Sequence, residues 1–201
     1  LFMNFDNRSA LGETSSKVVD LRGSDVNLTT FGGAIVNATG KHGSALNFDG
    51  VGDLANASLQ SLDHNLTGDF AIGTWVNYHS VGAVNALIGA GRCVDSPDGD
   101  VSWLMYNTAT NMRFYRYDGA TTTRDFSWSA SANQWYHVVF VRSGDDLSFY
   151  VDGSQQGASQ SVSGVNYHLT AVASQALHLG YLETGDSCVG AIYNLDGLLD
   201  D

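Results

Sequence analysis

Carboxylates are the most abundant side chains in this sequence that could do chemistry, and their positions argue against catalysis. The chain carries 21 Asp and Glu residues, of which only Glu13 and Glu183 are Glu. Glycosidases need two carboxyl groups roughly 5–10 Å apart across the scissile bond. No strand-like segment presents two Asp at alternate positions beside aromatic residues, and Asp98 and Asp100 lie in turn-like sequence. The sequence therefore predicts no catalytic residues.

Other reactive patterns are also missing from the sequence. The six His residues show neither the His-x-His nor the His-Glu-x-x-His spacing of zinc sites. There is no Gly-x-Ser-x-Gly motif, and no Gly-rich segment leads into a helical pattern. Zinc hydrolysis, a serine nucleophile and nucleotide binding are accordingly not predicted.

The charge balance limits the partners of the protein. The formal net charge is −12 and no basic stripe exists, which disfavours nucleic acid and anionic membranes. No apolar run reaches the roughly 18–20 residues needed to cross a bilayer, so no membrane insertion is expected. The acidity either serves solubility or places some Asp residues around Ca²⁺, a hard cation that selects oxygen ligands.

A glycan-binding surface is a candidate in the segment NMRFYRY, residues 111–117. Met112 and Phe114 suit a core, whereas Arg113, Tyr115 and Tyr117 share the opposite face of a strand. Aromatic rings can stack on sugar C–H groups, and Arg can donate hydrogen bonds to hydroxyls. The alternative is that the two Tyr only cover the sheet and that Arg113 pairs with an Asp.

Two features depend on the compartment of the protein. Cys93 and Cys188 are expected to form one disulfide if the chain is secreted, and to be two buried thiols otherwise. Five Asn-x-Ser/Thr sequences in the first third of the chain are candidate glycosylation sites. They begin at Asn7, Asn27, Asn37, Asn56 and Asn65.

Period-2 alternation predicts the fold. We find no long segment with a period of 3.6, but short alternating runs separated by Gly, Ser, Asp and Asn recur along the chain. At least ten strands without room for large helices indicate an all-β, antiparallel two-sheet sandwich in one domain of 201 residues. The predicted strand segments are 44–50, 69–79, 86–92, 101–107, 111–119, 121–129, 135–153 (a hairpin), 176–181 and 191–201.

The hairpin WYHVVFVRSGDDLSFYVDG, residues 135–153, indicates how the sandwich is layered. Both alternating sets of its first strand are largely apolar, which predicts a central strand covered on both faces. In its second strand only Leu147, Phe149 and Val151 form an apolar face, which predicts a half-solvated strand.

Five segments in this order and spacing resemble the laminin-G-like domains of the concanavalin A-like lectin/glucanase superfamily, close to the pentraxins. They are ALNFDG, DFAIGTWV, the hairpin, LHLGY and LDGLLDD, within residues 44–201. The resemblance implies a concanavalin A-like jelly roll of two antiparallel sheets. It also implies an extracellular or cell-surface module. The start at Leu1 and the end at LDD indicate either a processed protein or a single domain excised from a longer secreted protein.

The resemblance further implies a structural Ca²⁺ that joins the two chain ends. Its expected ligands are Asp6, Asp200 or Asp201, and a backbone oxygen near His42–Gly43. A second resemblance, of the loop 181–190 to the pentraxin ligand loop, makes Glu183 and Asp186 candidate ligand-binding residues.

The expected function is non-catalytic carbohydrate binding and adhesion, with Ca²⁺ as a cofactor. The alternative is a structural subunit of an extracellular assembly, which would bind cell-surface protein or self-assemble instead of binding a glycan. A glycoside hydrolase or polysaccharide lyase is the least favoured alternative.

Overall fold

The fold is described from a computed structural model that covers the whole chain. The residues described are 2–22, 27–58, 66, 68–91, 101–117, 120–167, 176–183 and 192–201. Eighteen strands, β1–β18, and one short 3-10 turn at Ser9–Leu11 are assigned in these ranges. No helix in the described ranges is long and apolar enough to cross a membrane.

Sheet 1 contains eight strands in the order β1-β2-β5-β15-β7-β8-β9-β10, all paired antiparallel. Its strands are β1 Lys17–Val18, β2 Leu28–Phe31, β5 Leu54–Ser58, β7 Asn85–Gly91, β8 Val101–Asn107, β9 Asn111–Tyr117, β10 Thr121–Ser127 and β15 Ala176–Leu179.

Sheet 2 is also antiparallel, in the order β13-β12-β11-β6-β18-β4-β3, with β14 paired to β12. Its strands are β3 Ile35–Thr39, β4 Ser44–Asp49, β6 Phe70–Tyr78, β11 Trp135–Ser143, β12 Asp146–Val151, β13 Ser154–Gln155, β14 Gln160–Ser161 and β18 Asp196–Asp200. A separate hairpin joins β16 Tyr181–Glu183 to β17 Ile192–Asn194.

The predicted all-β, two-sheet sandwich is confirmed. The facing sides of the two sheets bury one large apolar core, in which Phe114 of sheet 1 meets Phe140 of sheet 2 at a ring distance of 5.0 Å. The described residues between 7 and 43, namely 7–22 and 27–43, form loops, one short 3-10 turn and short strands.

The predicted coverage of the hairpin's first strand is wrong. In β11 the side chains alternate between buried and half-exposed, so only one face lies in the core. The outward Val139 and Val141 are apolar because β-branched residues suit a strand as such, and no second layer is needed. The second strand, β12, is half-solvated as expected, and its Leu147, Phe149 and Val151 are buried.

A two-residue turn joins β12 to β13 and fixes the register of these two strands. Val151 pairs with Ser154, and the two residues between them, Asp152 and Gly153, have φ angles of 49° and 79°. Positive φ at both central positions defines a type I′ turn, which Asp-Gly favours. This turn suits a hairpin because its backbone twist matches that of the flanking strands.

Candidate functional site

The carboxylate of Asp200 is enclosed at the end of the chain. Strand β18 places Asp200 opposite Trp75 of β6, and the residue is 0 % exposed. Its Oδ2 accepts a hydrogen bond from the His42 backbone N–H at 2.8 Å. Its Oδ1 is buried and accepts no hydrogen bond from any described residue. Burial raises the pKa of Asp200, as does the neighbouring charge of Asp201, whereas the His42 N–H lowers it.

Asp6, near the N-terminus of the chain, contacts the 40–44 loop, to which His42 also belongs. Its Oδ1 accepts a hydrogen bond from the Ser44 N–H at 3.3 Å, and its Oδ2 lies 2.9 Å from Arg8 Nη2. Gly43 has a φ of 75°, and a Cβ there would overlap the Asp6 carboxylate. Burial raises the pKa of Asp201, and repulsion by Asp6 raises it further. The structure thus brings Asp6, Gly43, Asp200 and Asp201 together.

These residues fit a cation only if other oxygens contribute. Within the described ranges, no three His, Cys, Asp or Glu side chains are arranged to hold a metal ion. The oxygen donors would therefore be Asp200 Oδ1, carbonyls of the 40–44 loop, and Asn4 Oδ1, which is buried without a described partner. Calcium accepts such mixtures of carboxylate, amide and carbonyl oxygens.

An aromatic cluster that sequence reasoning missed packs beside the chain ends. Trp75 points outward from β6, with its ring 5.0 Å from that of His137 and 5.7 Å from that of His42. Lys41 Nζ lies 4.7 Å from the centre of the Trp75 ring. These contacts hold the 41–42 segment over sheet 2. The alternation of β6 gave Trp75 its direction, but its partners come from distant segments.

The second candidate site lies on the outer face of sheet 1. As predicted, Met112 and Phe114 face the core, and Arg113, Tyr115 and Tyr117 face the other way. Tyr115 is only 8 % exposed, because it packs into a second apolar cluster with Leu104. Tyr115 is therefore mainly a packing residue.

Arg113 has the Asp partner that the alternative interpretation required. Both Nε and Nη2 donate to the Asp125 carboxylate, the latter at 2.6 Å, and Nη1 donates to the Tyr106 hydroxyl at 2.8 Å. The bond to Asp125 raises the pKa of Arg113, so this side chain remains charged at every physiological pH. Burial raises the pKa of Tyr106.

Strand register creates this arrangement. Asp125 of β10 and Tyr106 of β8 both lie directly opposite Arg113 of β9. Tyr193 of β17 stacks on Tyr106 with a ring distance of 5.3 Å. We call Tyr106, Arg113, Tyr117, Asp125 and Tyr193 the arginine–tyrosine surface. Sequence reasoning missed Tyr106, Asp125 and Tyr193, because no local pattern reveals which residues oppose each other.

Several predicted residues lie wholly or partly outside the described residues. Cys93, Cys188, Asp186 and Asn65 are outside, and Glu183 lies in β16 without a described side chain. Of the other predicted glycosylation sites, Asn7 and Asn37 are exposed, and Asn27 and Asn56 are half-buried.

Comparison with protein families gives one match over most of the chain. A laminin-G-type family model, described as the concanavalin A-like lectin/glucanases superfamily, matches residues 49–201. No curated protein matches the chain significantly.

Solved structures share the fold at low sequence identity. The binding domain of botulinum neurotoxin DC in complex with SialylT is 10% identical, with a TM-score of 0.64 over 99% of this chain and 46% of that one. The receptor binding domain of botulinum neurotoxin D is 14% identical, with a TM-score of 0.62 over 91% and 46%. This chain thus spans about half the length of those toxin domains.

A shorter relative matches over nearly its whole length. Domain 4 of AbnA, a GH43 extracellular arabinanase from Geobacillus stearothermophilus, was solved in complex with arabinotriose. It is 16% identical, with a TM-score of 0.63 over 98% of this chain and 86% of that one.

Proposed function

The chain belongs to the concanavalin A-like lectin/glucanases superfamily, and from this premise we propose that it is a non-catalytic carbohydrate-binding module. Similar folds from an arabinanase and a botulinum neurotoxin were solved with arabinotriose and with SialylT. Because these proteins are so low in sequence identity to this chain, the similarity shows only a shared fold. The proposal therefore depends on the chemistry of this chain's own surface.

The observation that supports the proposal most is the charged pair on the arginine–tyrosine surface. The side chains of Arg113 and Asp125 remain 29% and 37% exposed although they bind each other. Arg113 has five N–H groups, of which three bind Asp125 and Tyr106. Two N–H donors and the remaining carboxylate lone pairs are left for sugar hydroxyls. The half-exposed ring of Tyr193 can pack against sugar C–H groups.

Changing Arg113 to Ala is expected to weaken glycan binding about 10- to 100-fold. A hydrogen bond to a charged group contributes about 1.5–3 kcal/mol, and each 1.4 kcal/mol is a tenfold change in Kd. A glycan array identifies the best ligand, and calorimetry on that ligand gives the affinities of the two proteins.

Arg124→Ala is the matched control for this experiment. Arg124 precedes Asp125 in β10 and donates instead to the carbonyls of Thr123 and Ser161. Its removal should leave the glycan affinity within about twofold. If the wild-type protein bound no glycan on the array, carbohydrate binding would be refuted. Unchanged binding by Arg113→Ala would refute only this site.

We propose in addition that Ca²⁺ binds at the chain ends. The unpartnered, buried Asp200 Oδ1 supports this site, because an unsatisfied buried carboxylate oxygen is costly. The ion would join the N-terminal segment, the 40–44 loop and β18, with Asp6, Asp200 and Asp201 supplying negative charge.

An extracellular or cell-surface location is part of the same proposal, and it has a consequence for the cysteines. In an oxidising compartment Cys93 and Cys188 should be joined. Intact-mass analysis of the secreted protein after alkylation without reductant should find no modified thiol. Two alkylated cysteines on the folded protein would contradict the expected disulfide.

A further inference from the structure

Three arginines point into one end of the sandwich, between the two sheets. Arg142 of β11 follows Phe140 on the core face of sheet 2 and is 7% exposed. Arg124 of β10 pairs with Phe114 and therefore points from sheet 1 towards the same core. Arg116 lies two residues beyond Phe114 in β9, on that same face. The whole chain has only nine Lys and Arg residues, so a third of its positive side chains meet here.

Tyr167 lies between these arginines and the core. Its ring is 5.0 Å from that of Phe114, and the Arg142 guanidinium carbon is 6.0 Å from its centre. Tyr167 is 0% exposed, and its hydroxyl is buried without a hydrogen-bond partner among the described residues. Burial raises the pKa of Tyr167, whereas the charges of Arg124, Arg142 and Arg116 lower it. An unused hydroxyl thus lies close to three positive charges.

The guanidinium groups of Arg124 and Arg142 bind carbonyl oxygens, which are neutral. Each donates two hydrogen bonds, one from Nε and one from Nη1. The acceptors are the carbonyls of Ser161 and Thr123 for Arg124 and of Gly144 and Val165 for Arg142. A guanidinium has five N–H groups, so three remain on each of the two side chains.

Neither of these two arginines has a carboxylate partner in the described part of the chain. The ion pairs found there involve Arg8, His79 and Arg113. The carboxylate of Asp69 approaches the turn beside Arg142, but it accepts the Gly144 N–H at 2.7 Å. A buried charge without a counter-charge is costly. An anion at this position would offset that cost.

We propose that this end of the sandwich binds a tetrahedral oxyanion, a sulfate or phosphate group, between Arg124 and Arg142. Guanidinium groups bind such anions through short, charge-assisted hydrogen bonds. The two guanidinium groups come from opposite sheets and so reach the anion from different directions. Four oxygens arranged as a tetrahedron suit this better than the planar carboxylate. Arg116 adds positive charge, and the Tyr167 hydroxyl adds a donor.

The position of the site makes it independent of the proposed glycan site. Arg124 and Arg116 lie on the core face of β10 and β9, whereas the arginine–tyrosine surface lies on the outer face of the same strands. Arg124 is half-buried on β10, the edge strand of the described part of sheet 1, so the anion enters from that side.

The charge of the whole protein limits the size of the ligand. With a formal net charge of −12, the rest of the molecule repels a polyanion such as a nucleic acid. A small ligand with one oxyanion group brings little negative charge against this field. The ligand is therefore the free ion or a small monoester.

Titration with sodium sulfate, followed by NMR of the arginine side chains, tests the proposal. The Nε–H signals of Arg124 and Arg142 are expected to shift and to saturate at millimolar sulfate. Sodium chloride at the same ionic strength should shift them much less, because general screening needs no specific site. The Nε–H of Arg113, which binds Asp125, is the internal control and should not shift.

Three variants show which groups hold the anion, with melting temperatures confirming that each folds. Arg124→Ala is expected to weaken sulfate binding, read from the Arg142 signal, at least tenfold. Tyr167→Phe keeps the ring and should weaken it about threefold, whereas a hydroxyl that only packs would leave the affinity unchanged. Arg22→Ala is the matched control: Arg22 is exposed, and its removal should leave the affinity within about twofold.

Four further outcomes decide the proposal and the identity of the anion. Signals that respond alike to sulfate and chloride, or full sulfate binding by Arg124→Ala, would overturn it. Acetate binding more tightly than sulfate and phosphate would overturn the tetrahedral geometry. Methyl sulfate binding as tightly as sulfate would support a monoester as the ligand, and binding of inorganic sulfate alone would support the free ion. Glycan binding is measured separately, so either site can fail without the other.

Discussion

Millimolar Ca²⁺ is expected to raise the melting temperature of the metal-free protein by roughly 5–10 °C. The proposed ligands lie in segments remote in sequence, so the ion binds only the folded chain. A ligand at a hundredfold excess over its Kd stabilises by about 2.7 kcal/mol, and for this chain length 1 kcal/mol corresponds to about 2–4 °C. Differential scanning fluorimetry with added Ca²⁺ and then a chelator measures the rise and its reversal.

Variants at the chain ends test whether these carboxylates are the ligands. Asp200→Asn and Asp6→Asn should each remove most of the Ca²⁺ effect, because the first removes a charged ligand and the second removes negative charge beside the ion. Asp146→Asn is the control, since Asp146 is exposed on β12. Mg²⁺ should stabilise much less because it gives up its waters reluctantly. An unmoved melting temperature in a sample shown to be metal-free would refute the site.

The pH dependence of the metal-free protein provides an independent readout. The folded protein raises the pKa values of Asp200 and Asp201 above 3.8, mainly through burial. These groups therefore favour folding fully below pH 3.8 and lose that contribution as the pH rises through their folded pKa values. Asp200→Asn should flatten this loss in metal-free buffer. Saturating Ca²⁺ should also flatten it in the wild-type protein.

Replacing Phe114 by Ala is expected to cost about 3–5 kcal/mol of the free energy of unfolding, the range for buried Phe in other cores. Phe114 is 0% exposed and lies between the sheets. Its ring is 5.0 Å from those of Phe140 and Tyr167, and it stacks on that of Trp103 at 6.2 Å. The lost ring would leave a cavity that these large neighbours cannot fill. Urea denaturation followed by Trp fluorescence measures the change.

The same substitution at an exposed position is the control. Phe31 is 48% exposed, so Phe31→Ala should change the free energy of unfolding by no more than about 0.5 kcal/mol. A loss below 1 kcal/mol for Phe114→Ala would show that this ring does not hold the two sheets together.

The sequence by itself determined the fold class and most strands. Alternation marked the buried face of β12 and the opposite faces of β9, because the side-chain period of a strand is 2. Asp152-Gly153 is a dipeptide that favours a type I′ turn, and both residues have the positive φ that this turn needs. The prediction that both faces of β11 are covered was wrong, because apolar residues on both faces of a strand also occur without a second covering layer.

The tertiary structure alone decided which residues meet. The pairing of Arg113 with Asp125 and Tyr106 depends on the register of three strands. The burial of Asp200 depends on the His42 loop, 158 residues away in sequence. Local patterns specify how each strand faces the core, whereas sheet order and register follow from packing the whole core, to which every segment contributes.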